Sequence, residues 1–262
     1  MSLRTMEDKV AAGSPKLQIC VVIASYNGSE RLRLVLSSLL FQDVLPEDYE
    51  VVVVDNGSAE SPARTVSQFA QHLRVRMLHE PANGLSRARN RGLREGSGDV
   101  IVFIDDDVIV GSSFISQYQH VFAAESVNFA GGPILPFRRR NAPWPWWFRG
   151  RALNYFSMQD IGCAPKYFNS YPYGANMAYR RSAILEAFET RLGRHGTSLL
   201  SGEEKNFNSR NGFTDAVHAK QAFVFHVVAE ERLRLPWLMR RIASQIKTRI
   251  ISKRIQRKRT NV

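Results

Sequence analysis

The sequence predicts an α/β fold with a mostly parallel, doubly wound sheet, and three observations support this. Short apolar runs rich in β-branched residues alternate along the chain with segments of helical spacing, which is the pattern of successive βα units. The first strands end in polar clusters, and parallel strands bring their carboxyl ends to one edge of a sheet. The hydrophobic content of 44% is that of a globular domain, and no apolar run reaches the roughly 18 residues of a membrane-spanning helix.

Apolar periodicity places the individual elements along the chain. The first helix is the clearest, because its leucines and valine follow one helical face from Leu32 to Leu40. Buried strands are predicted at 17–24, 50–54, 74–78, 100–104, 173–179 and 222–228. Helices are predicted at 29–40, 61–72, 85–95 and 182–188, and another opens at 201.

Three adjacent carboxylates, Asp105, Asp106 and Asp107, follow the buried strand at 100–104 without a spacer. Like charges repel, so a fold keeps them together only with compensation, and hard divalent cations favour carboxylate oxygens. The alternative is an acidic turn that closes a strand. The chain has neither a G-x-G-x-x-G motif nor a G-x-x-x-x-G-K-[ST] loop. A bound nucleotide would therefore need a metal at these aspartates to neutralise its phosphates.

The net charge of +12 is unevenly distributed. From Arg232 onward there are eleven Lys or Arg and no acid, so the rest of the chain carries only about +1. A nucleic-acid binder would spread basic residues over a face, so no nucleic-acid partner is predicted. Apolar residues recur at helical spacing in this tail, at Met239, Ile242, Ile246, Ile250 and Ile255. They predict a basic amphipathic helix that docks on an anionic membrane through 232–259, or that packs on the body.

Segment 136–170 is irregular and contains three of the four tryptophans. Trp146 and Trp147 suit stacking on a sugar or a membrane interface, with packing over the sheet edge as the alternative. Residues 1–16 are polar and predict a disordered or tag-like N terminus without a signal peptide. Two cysteines without metal or redox spacing indicate a reducing, cytoplasmic environment.

Six ordered blocks resemble the inverting family 2 glycosyltransferases of GT-A fold, of the bacterial-polysaccharide type. They are VVIASYNGSERLRLVLSSLLFQ, VVVVDNGSAE, NGLSRARNRGL, VIVFIDDDV, GANMAYRRSAI and SGEEKNF. The resemblance implies a nucleotide-diphosphate sugar donor, a divalent metal (Mg²⁺ or Mn²⁺) and a saccharide or lipid-linked acceptor. It implies a GT-A domain over 17–231, with a nucleotide half at 17–110 and an acceptor half at 111–231, followed by the basic extension 232–262.

The resemblance also assigns donor and metal residues. Asp55 falls where the family contacts the nucleotide base, and Asn83 and Arg87 fall beside the nucleotide. The D-x-D motif maps to Asp105 and Asp107, with Asp107 as the first metal ligand. The remaining candidates for binding the sugar donor are Ser25 and Asn27, which follow the first strand, and Asp106 of the triplet.

The catalytic and acceptor assignments follow from the later blocks. The Glu-Asp pair of the family is Glu203-Glu204 here, so the base maps to Glu204, with Glu203 as the reserve. A histidine near the last strand can complete the metal site in related enzymes, which marks His226; the alternative is an ordinary core histidine. The acceptor candidates are Asn176, Trp146 and Trp147.

Two other functions compete with sugar transfer. One is a non-catalytic nucleotide-sugar or membrane-binding protein of the same fold. The other is a sugar nucleotidyltransferase, which would need a glycine-rich basic loop after the first strand, and the segment from Ser25 to Glu30 is not one. The expected location is cytoplasmic, and peripheral on the inner face of the membrane if the tail docks there.

Overall fold

The computed structural model of the chain describes residues 17–159, 171–196 and 198–260. The predictions for 1–16 and for much of the second half of the 136–170 segment lie outside these residues. The described strands are β1 Ile19–Ser25, β2 Tyr49–Asp55, β3 Val75–His79, β4 Val100–Asp105, β5 Val108–Val110, β6 Phe129–Gly131, β7 Ile134–Phe137, β8 Asn176–Arg180, β9 Val217–His218 and β10 Val224–Val227. The described helices are α1 Ser29–Leu39, α2 Ala63–Phe69, α3 Leu85–Glu95, α4 Phe114–Phe122, α5 Glu203–Arg210 and α6 Leu235–Thr260.

The main sheet has the strand order β3-β2-β1-β4-β8-β6-β9. Strand β1 lies between β2 and β4 and is parallel to both, while β8 runs antiparallel to β4 and β6. The central strands are buried along their length, whereas β3 is half-exposed at the edge of the sheet. Continuous apolar runs are what strands covered on both faces require. The predicted mostly parallel sheet is confirmed.

Helices cover both faces of this sheet, and alternate residues of β1 show the two layers. Ile19, Val21 and Ile23 pack in one core with residues of α1, α2 and α4. Cys20 and Val22 pack in the other core, with residues of α3 and α5. Helix α3 lies so close that a Cβ on Gly92 would be 2.2 Å from Val22 Cγ1.

A small second sheet, of order β5-β10-β7, continues from the end of β4. Asp105 is the last residue of β4, Asp106 and Asp107 form a turn, and β5 begins at Val108. Strand β10 pairs antiparallel with β5, so that His226 is opposite Val108. The acidic triplet therefore joins the two sheets, and β10 brings His226 beside it.

Helix α6 packs on the body through a face that is largely polar. Arg241, Thr248 and Ile255 recur every seven residues and are buried. Arg241 donates hydrogen bonds to the carbonyls of Tyr155 (3.3 Å) and Leu199 (2.6 Å). The apolar stripe at Met239, Ile246 and Ile250 is exposed instead, so packing of these three on the body is wrong. No described helix is long and apolar enough to cross a membrane.

Two helix predictions differ from the structure. The segment predicted as a helix at 182–188 has only a 3-10 turn, Arg181–Ala183. The reason is that the amides of Leu185 and Glu186 donate to Asn211 Oδ1, at 2.7 and 2.8 Å, and not to carbonyls of a helix. Helix α2 ends at Phe69, three residues before the predicted end at 72.

Candidate active site

The site lies at the carboxyl edge of β1, β2 and β4. The strand register places Ser25 beside Asp55 and Ala24 beside Asp105, so polar groups from three strands meet although they are far apart in sequence. Ligands of parallel α/β sheets bind at this edge, just beyond the strand ends.

The three aspartates of the triplet face different partners, and Asp106 turns towards α1. Its Oδ2 accepts a hydrogen bond from Ser25 Oγ at 2.8 Å and lies 3.1 Å from Arg31 Nη2. The approach is close: a Cβ on Gly28 would be 2.0 Å from this oxygen, so the loop needs glycine there. Burial raises the pKa of Asp106, Arg31 opposes this, and the neighbouring charge of Asp107 adds to the increase.

Asp107 turns the other way, towards β10 and the segment that leads to α6. Its Oδ1 is 3.0 Å from His226 Nε2, and its Oδ2 is 3.2 Å from Arg232 Nη2. Burial alone would raise the pKa of Asp107, but His226 and Arg232 outweigh it and hold the pKa well below its ordinary value. Asp107 is therefore a carboxylate at neutral pH.

The donor set around Asp107 fits a divalent cation. His226 Nδ1 lies 3.0 Å from the carbonyl of Phe156, which can only accept, so Nδ1 donates to it and this contact holds the ring with Nε2 towards Asp107. Asp107 Oδ1 is buried without a hydrogen-bond donor among the described residues. Ligand atoms of Asp105, Asp107 and His226 lie within 4.8 Å of one another. Two carboxylates and an imidazole suit Mn²⁺ or a similar ion.

A buried arginine connects the triplet to the start of α5. Arg89 of α3 lies 3.4 Å from Asp105, 3.2 Å from Glu203 and 3.6 Å from Glu204. Burial raises the pKa of Glu203 to about 8, Glu204 adds to the rise, and Arg89 opposes it. Glu204 is more accessible, and its Oε1 accepts a hydrogen bond from the Gly174 amide at 3.2 Å. A Cβ on Gly174 would be 2.6 Å from that oxygen.

These groups line a cavity of about 240 Å³. The acids that line it within the described part of the chain are the triplet and both glutamates. Its polar lining also includes Ser25, Asn56, Asn83 and Ser201. Five arginines from across the chain face the same space, namely Arg31, Arg89, Arg194, Arg232 and Arg241. The cavity thus combines a candidate cation site with several fixed positive charges, which is suitable for a diphosphate.

Comparison with known proteins agrees with this geometry. The sequence model of "Glycosyl transferase family 2" matches residues 20–188, which is more than half of the chain. The chain belongs to glycosyl transferase family 2. The match contains β1 from its second residue, β2 to β4 and the acidic triplet, so the resemblance drawn from the sequence blocks is confirmed.

Curated relatives of this family 2 member are themselves sugar transferases. A validoxylamine A glucosyltransferase of Streptomyces hygroscopicus subsp. limoneus is 34% identical over 41% of this chain and 24% of its own length. A glucosyl-dolichyl phosphate glucuronosyltransferase of Haloferax volcanii is 26% identical over 85% of this chain and 73% of its own length. The chain spans a quarter to two fifths of the first two relatives that it matches.

Solved structures support the same fold. S. aureus TarS 1-349 in complex with UDP-GlcNAc has a TM-score of 0.57 at 17% identity, covering 82% of this chain and 59% of its own. The mannosyltransferase PcManGT from Pyrobaculum calidifontis, in complex with GDP-Man and Mn²⁺, has a TM-score of 0.59 at 17% identity, covering 89% and 65%. The predicted GT-A fold is confirmed.

Most of the candidate residues chosen from the sequence lie around one cavity. Those that line it are Ser25, Asn83, Asp105, Asp106, Asp107, Glu203 and Glu204, and His226 lies behind Asp107. Asn27 is exposed and braces the next loop, since its Oδ1 accepts from the Ala59 amide at 2.8 Å. Asp55 is 2% exposed and accepts from the Ser58 amide; its neighbour Asn56 is the residue that lines the cavity.

Two further candidates, Arg87 and Asn176, do not line the cavity. Arg87 lies on the exposed face of α3, because it is two residues from Arg89 and therefore about 200° away around the helix. Asn176 is fully buried, and its side chain is hydrogen-bonded to Tyr118, Pro133 and Ala222.

The two tryptophans also lie away from the cavity. Trp147 packs in the core against Phe148 and Phe156, as the packing alternative anticipated. Trp146 is 77% exposed, and it lines neither this cavity nor a second one that adjoins it.

The arginines of the cavity were missed by the sequence analysis. Arg89 lies inside the quoted block NGLSRARNRGL, and the register of α3 from its start at Leu85 would have separated it from Arg87. Arg232 and Arg241 were counted as part of the basic tail. Arg194 carries no local signal, since it stands in an irregular loop whose carbonyl accepts the amide of Leu85 at 2.8 Å.

Proposed function

We propose that this chain transfers a sugar from a nucleotide-diphosphate sugar to a hydroxyl acceptor with inversion, using Mg²⁺ or Mn²⁺. The observation that carries this is the convergence of Asp105, Asp107 and His226 on one side of a cavity that has Glu204 in its wall. A cation site and an accessible carboxylate are the two groups that such a displacement requires. The TarS and PcManGT structures, with their nucleotide-sugar ligands, support the same donor class.

The residues divide the reaction between them. Asp105, Asp107 and His226 would hold the ion, which supplies Lewis-acid stabilisation to the departing diphosphate. Arg31, Arg194 and Arg232 have guanidinium groups at this cavity, and they would bind the phosphate oxygens and offset the charge that develops there.

Glu204 is the better candidate for the base. It takes the proton of the attacking hydroxyl, and the Gly174 amide fixes its Oε1 while its other oxygen is left for the acceptor. Glu203 is nearly inaccessible, and its raised pKa keeps it protonated at neutral pH. It would position Arg89 and not touch the acceptor. Because one carboxylate acts in one displacement, the product has the inverted anomeric configuration.

A donor panel tests the proposal directly. The chain is incubated with UDP- and GDP-sugars, with Mn²⁺ or with chelator, and released nucleoside diphosphate is measured. Metal-dependent release is expected from one donor, and Glu204→Gln should bind that donor but lose transfer by a hundredfold or more, on the order of the effect of a general base. Glu203→Gln is the matched control and should retain most transfer. Normal turnover by Glu204→Gln would contradict the assignment.

The same panel separates the competing functions. A nucleotidyltransferase would release pyrophosphate from a nucleoside triphosphate and a sugar phosphate. A non-catalytic protein would bind a donor and release nothing. Transfer would release a nucleoside diphosphate and extend an acceptor, and only this result supports the proposal.

An anionic membrane surface is the proposed second partner. Helix α6 exposes Leu235, Met239, Ile246 and Ile250, and its sequence contains no Asp or Glu. An apolar stripe between basic residues suits the headgroup region of an anionic bilayer. Nucleic acid is not proposed as a partner, because the cavity is acidic as well as basic and the excess of positive charge is concentrated in the C-terminal region.

Vesicle sedimentation tests the membrane surface. Removing α6 is not a clean test, because Arg241 and Thr248 hold neighbouring segments. The triple variant Met239→Ser, Ile246→Ser, Ile250→Ser should bind phosphatidylglycerol vesicles about tenfold more weakly or worse. Phe41→Ser with Leu185→Ser, which also removes exposed apolar side chains, is the control and should bind normally. Unchanged binding by the triple variant, or equal binding to pure phosphatidylcholine, would contradict the proposal.

A further inference from the structure

A second cavity of about 710 Å³ adjoins the first. It lies between α5 and α6, with the segments around 154–157 and 171–173 as its other walls. Four residues line both cavities, namely Ser157, Ser201, Glu204 and Arg241. Glu204 is one of them, whereas none of the proposed metal ligands lines the second cavity. The second cavity is therefore the path by which an acceptor hydroxyl would reach Glu204.

The charge of this second cavity is strongly one-sided. Lys205 of α5 and Arg249 and Lys253 of α6 line it and are exposed. None of the three makes an ion pair or a side-chain hydrogen bond with another residue of the described chain, so their charges are free to meet a ligand. Within the described lining, Glu204 is the only acid.

The buried wall adds a fourth positive group. Arg241 is 5% exposed, and its guanidinium group donates hydrogen bonds to the carbonyls of Tyr155 and Leu199. Burial, with Arg194 nearby, lowers the pKa of Arg241 to about 10, which still leaves it charged at neutral pH. A positive charge held here without a carboxylate ion pair within the described residues favours an anion in the cavity.

The position of these residues around α6 points to the kind of acceptor. At about 100° per residue, Arg249 and Lys253 lie between the buried face and the exposed apolar stripe of Met239, Ile246 and Ile250. Lys247 and Arg254 lie on the far side of that stripe. The opening of the cavity is thus bordered by cations first and by apolar side chains next.

We propose that the second cavity binds the acceptor through phosphate, with Lys205, Arg249 and Lys253 as its ligands. The inference rests on the proposed function, because it is Glu204 that makes this cavity an acceptor site. Three exposed cations are more than an acceptor with a single carboxylate would need. A pyrophosphate or a phosphodiester chain offers several charged oxygens, which three cations can contact together. The phosphate could belong to a lipid-linked sugar, whose chain would run along the apolar stripe, or to a soluble sugar phosphate.

Three soluble probes with the same sugar test this. They are hexyl glucoside, which is uncharged, glucose 1-phosphate, and glucose joined through pyrophosphate to a hexyl chain. Binding is measured by calorimetry with excess UDP or GDP and Mn²⁺, to keep the phosphate of the probe out of the first cavity. Both phosphate probes should bind at least about tenfold more tightly than hexyl glucoside, the fold-change expected for two or three exposed charge contacts.

A matched pair of variants locates the effect. Arg249→Gln with Lys253→Gln should bind the phosphate probes about tenfold more weakly. Lys247→Gln with Arg254→Gln removes the same two residue types from the same helix, outside the cavity, and should bind normally. Equal loss in both variants, no loss in either, or equally tight binding of hexyl glucoside would overturn the inference.

The probes also distinguish the two sources of phosphate and the two proposals. Tighter binding of the pyrophosphate probe than of glucose 1-phosphate supports a lipid-linked acceptor, and equal binding supports a soluble one. Failure of the proposed function would appear as no metal-dependent release of nucleoside diphosphate in the donor panel. The two double variants are also compared for phosphate-probe binding without nucleotide. This comparison does not depend on the release of nucleoside diphosphate, so it can succeed or fail independently of the proposed function.

Discussion

The two sides of the acidic triplet are built differently although they start from adjacent, identical residues. Asp106 is held by Ser25 and Arg31, which lie within the first βα unit. Asp107 is held by His226 and Arg232, more than a hundred residues further along the chain. One carboxylate therefore stabilises the local loop, while the other joins the end of β4 to the C-terminal part of the chain.

The pKa values of the two carboxyl groups also differ between the two sides. Burial raises the pKa of Asp106, whereas His226 and Arg232 hold that of Asp107 low. The Asp107 side has the imidazole and the unsatisfied carboxylate oxygen that suit a cation. The Asp106 side is already satisfied by hydroxyl and guanidinium donors. Asp106 and Asp107 are adjacent residues of the same type, but their chemistry differs because each faces a different element of the fold.

The largest effect is expected at the residue that connects the two sides. Arg89→Met should lower the free energy of unfolding by about 3–5 kcal/mol, because it leaves Asp105, Glu203 and Glu204 without their shared buried cation. Urea unfolding followed by tryptophan fluorescence measures this. Arg87→Met, two residues away on the exposed face, is the control and should change stability by less than about 0.5 kcal/mol. Similar losses in both variants would contradict the bridging role of Arg89.

The next effect distinguishes Asp107 from Asp106 directly. Asp107→Asn should weaken Mn²⁺ binding about a hundredfold, because it replaces a charged ligand that faces His226. Asp106→Asn keeps the shape of a group whose pKa is already raised, so its affinity for Mn²⁺ should change less than about threefold. Calorimetry or electron paramagnetic resonance of Mn²⁺ gives both constants. Equal weakening would mean that both sides of the triplet hold the ion.

A pH series sharpens the contrast at α5. With a pKa of about 8 in the folded chain and an ordinary value of 4.5, Glu203 binds more protons in the folded chain than in the unfolded chain between these two pH values. Its contribution to stability is therefore present below pH 4.5 and is lost as the pH rises towards 8. Glu203→Gln should remove this loss, and its stability relative to the wild type should rise over that window by on the order of 1–3 kcal/mol. A difference that does not vary with pH would contradict the raised pKa.

Much of the fold could be predicted because its signals are local. The buried strands and α1 follow from apolar periods of a few residues, and parallel strands must bring Asp55 and Asp105 to one edge. The failures need longer-range information. Residues 182–188 lack a helix because Asn211 takes their amides, and Asn176 looks like an exposed polar residue until Tyr118, Pro133 and Ala222 surround it.

The arginines show the same limit for the site. The sequence showed that the excess of positive charge lies in the C-terminal region. It could not show that Arg241 lines a cavity while Arg254 is exposed, because that depends on the rotation of α6 about its axis. Glu203 and Glu204 were both identified, but only their unequal burial, 3% exposed for Glu203, separates a positioning residue from a base.

The smallest effect is expected in the aromatic segment, where two adjacent tryptophans also differ in surroundings. Trp146 is 77% exposed and lines neither cavity, so Trp146→Ala should change the free energy of unfolding by less than about 0.5 kcal/mol. Its donor and phosphate-probe affinities should remain unchanged. Trp147→Ala is the control and should cost about 2–4 kcal/mol, because its ring packs on Phe148 and Phe156. Weaker probe binding by Trp146→Ala at unchanged stability would restore this residue to the acceptor site and extend the second cavity towards the aromatic segment.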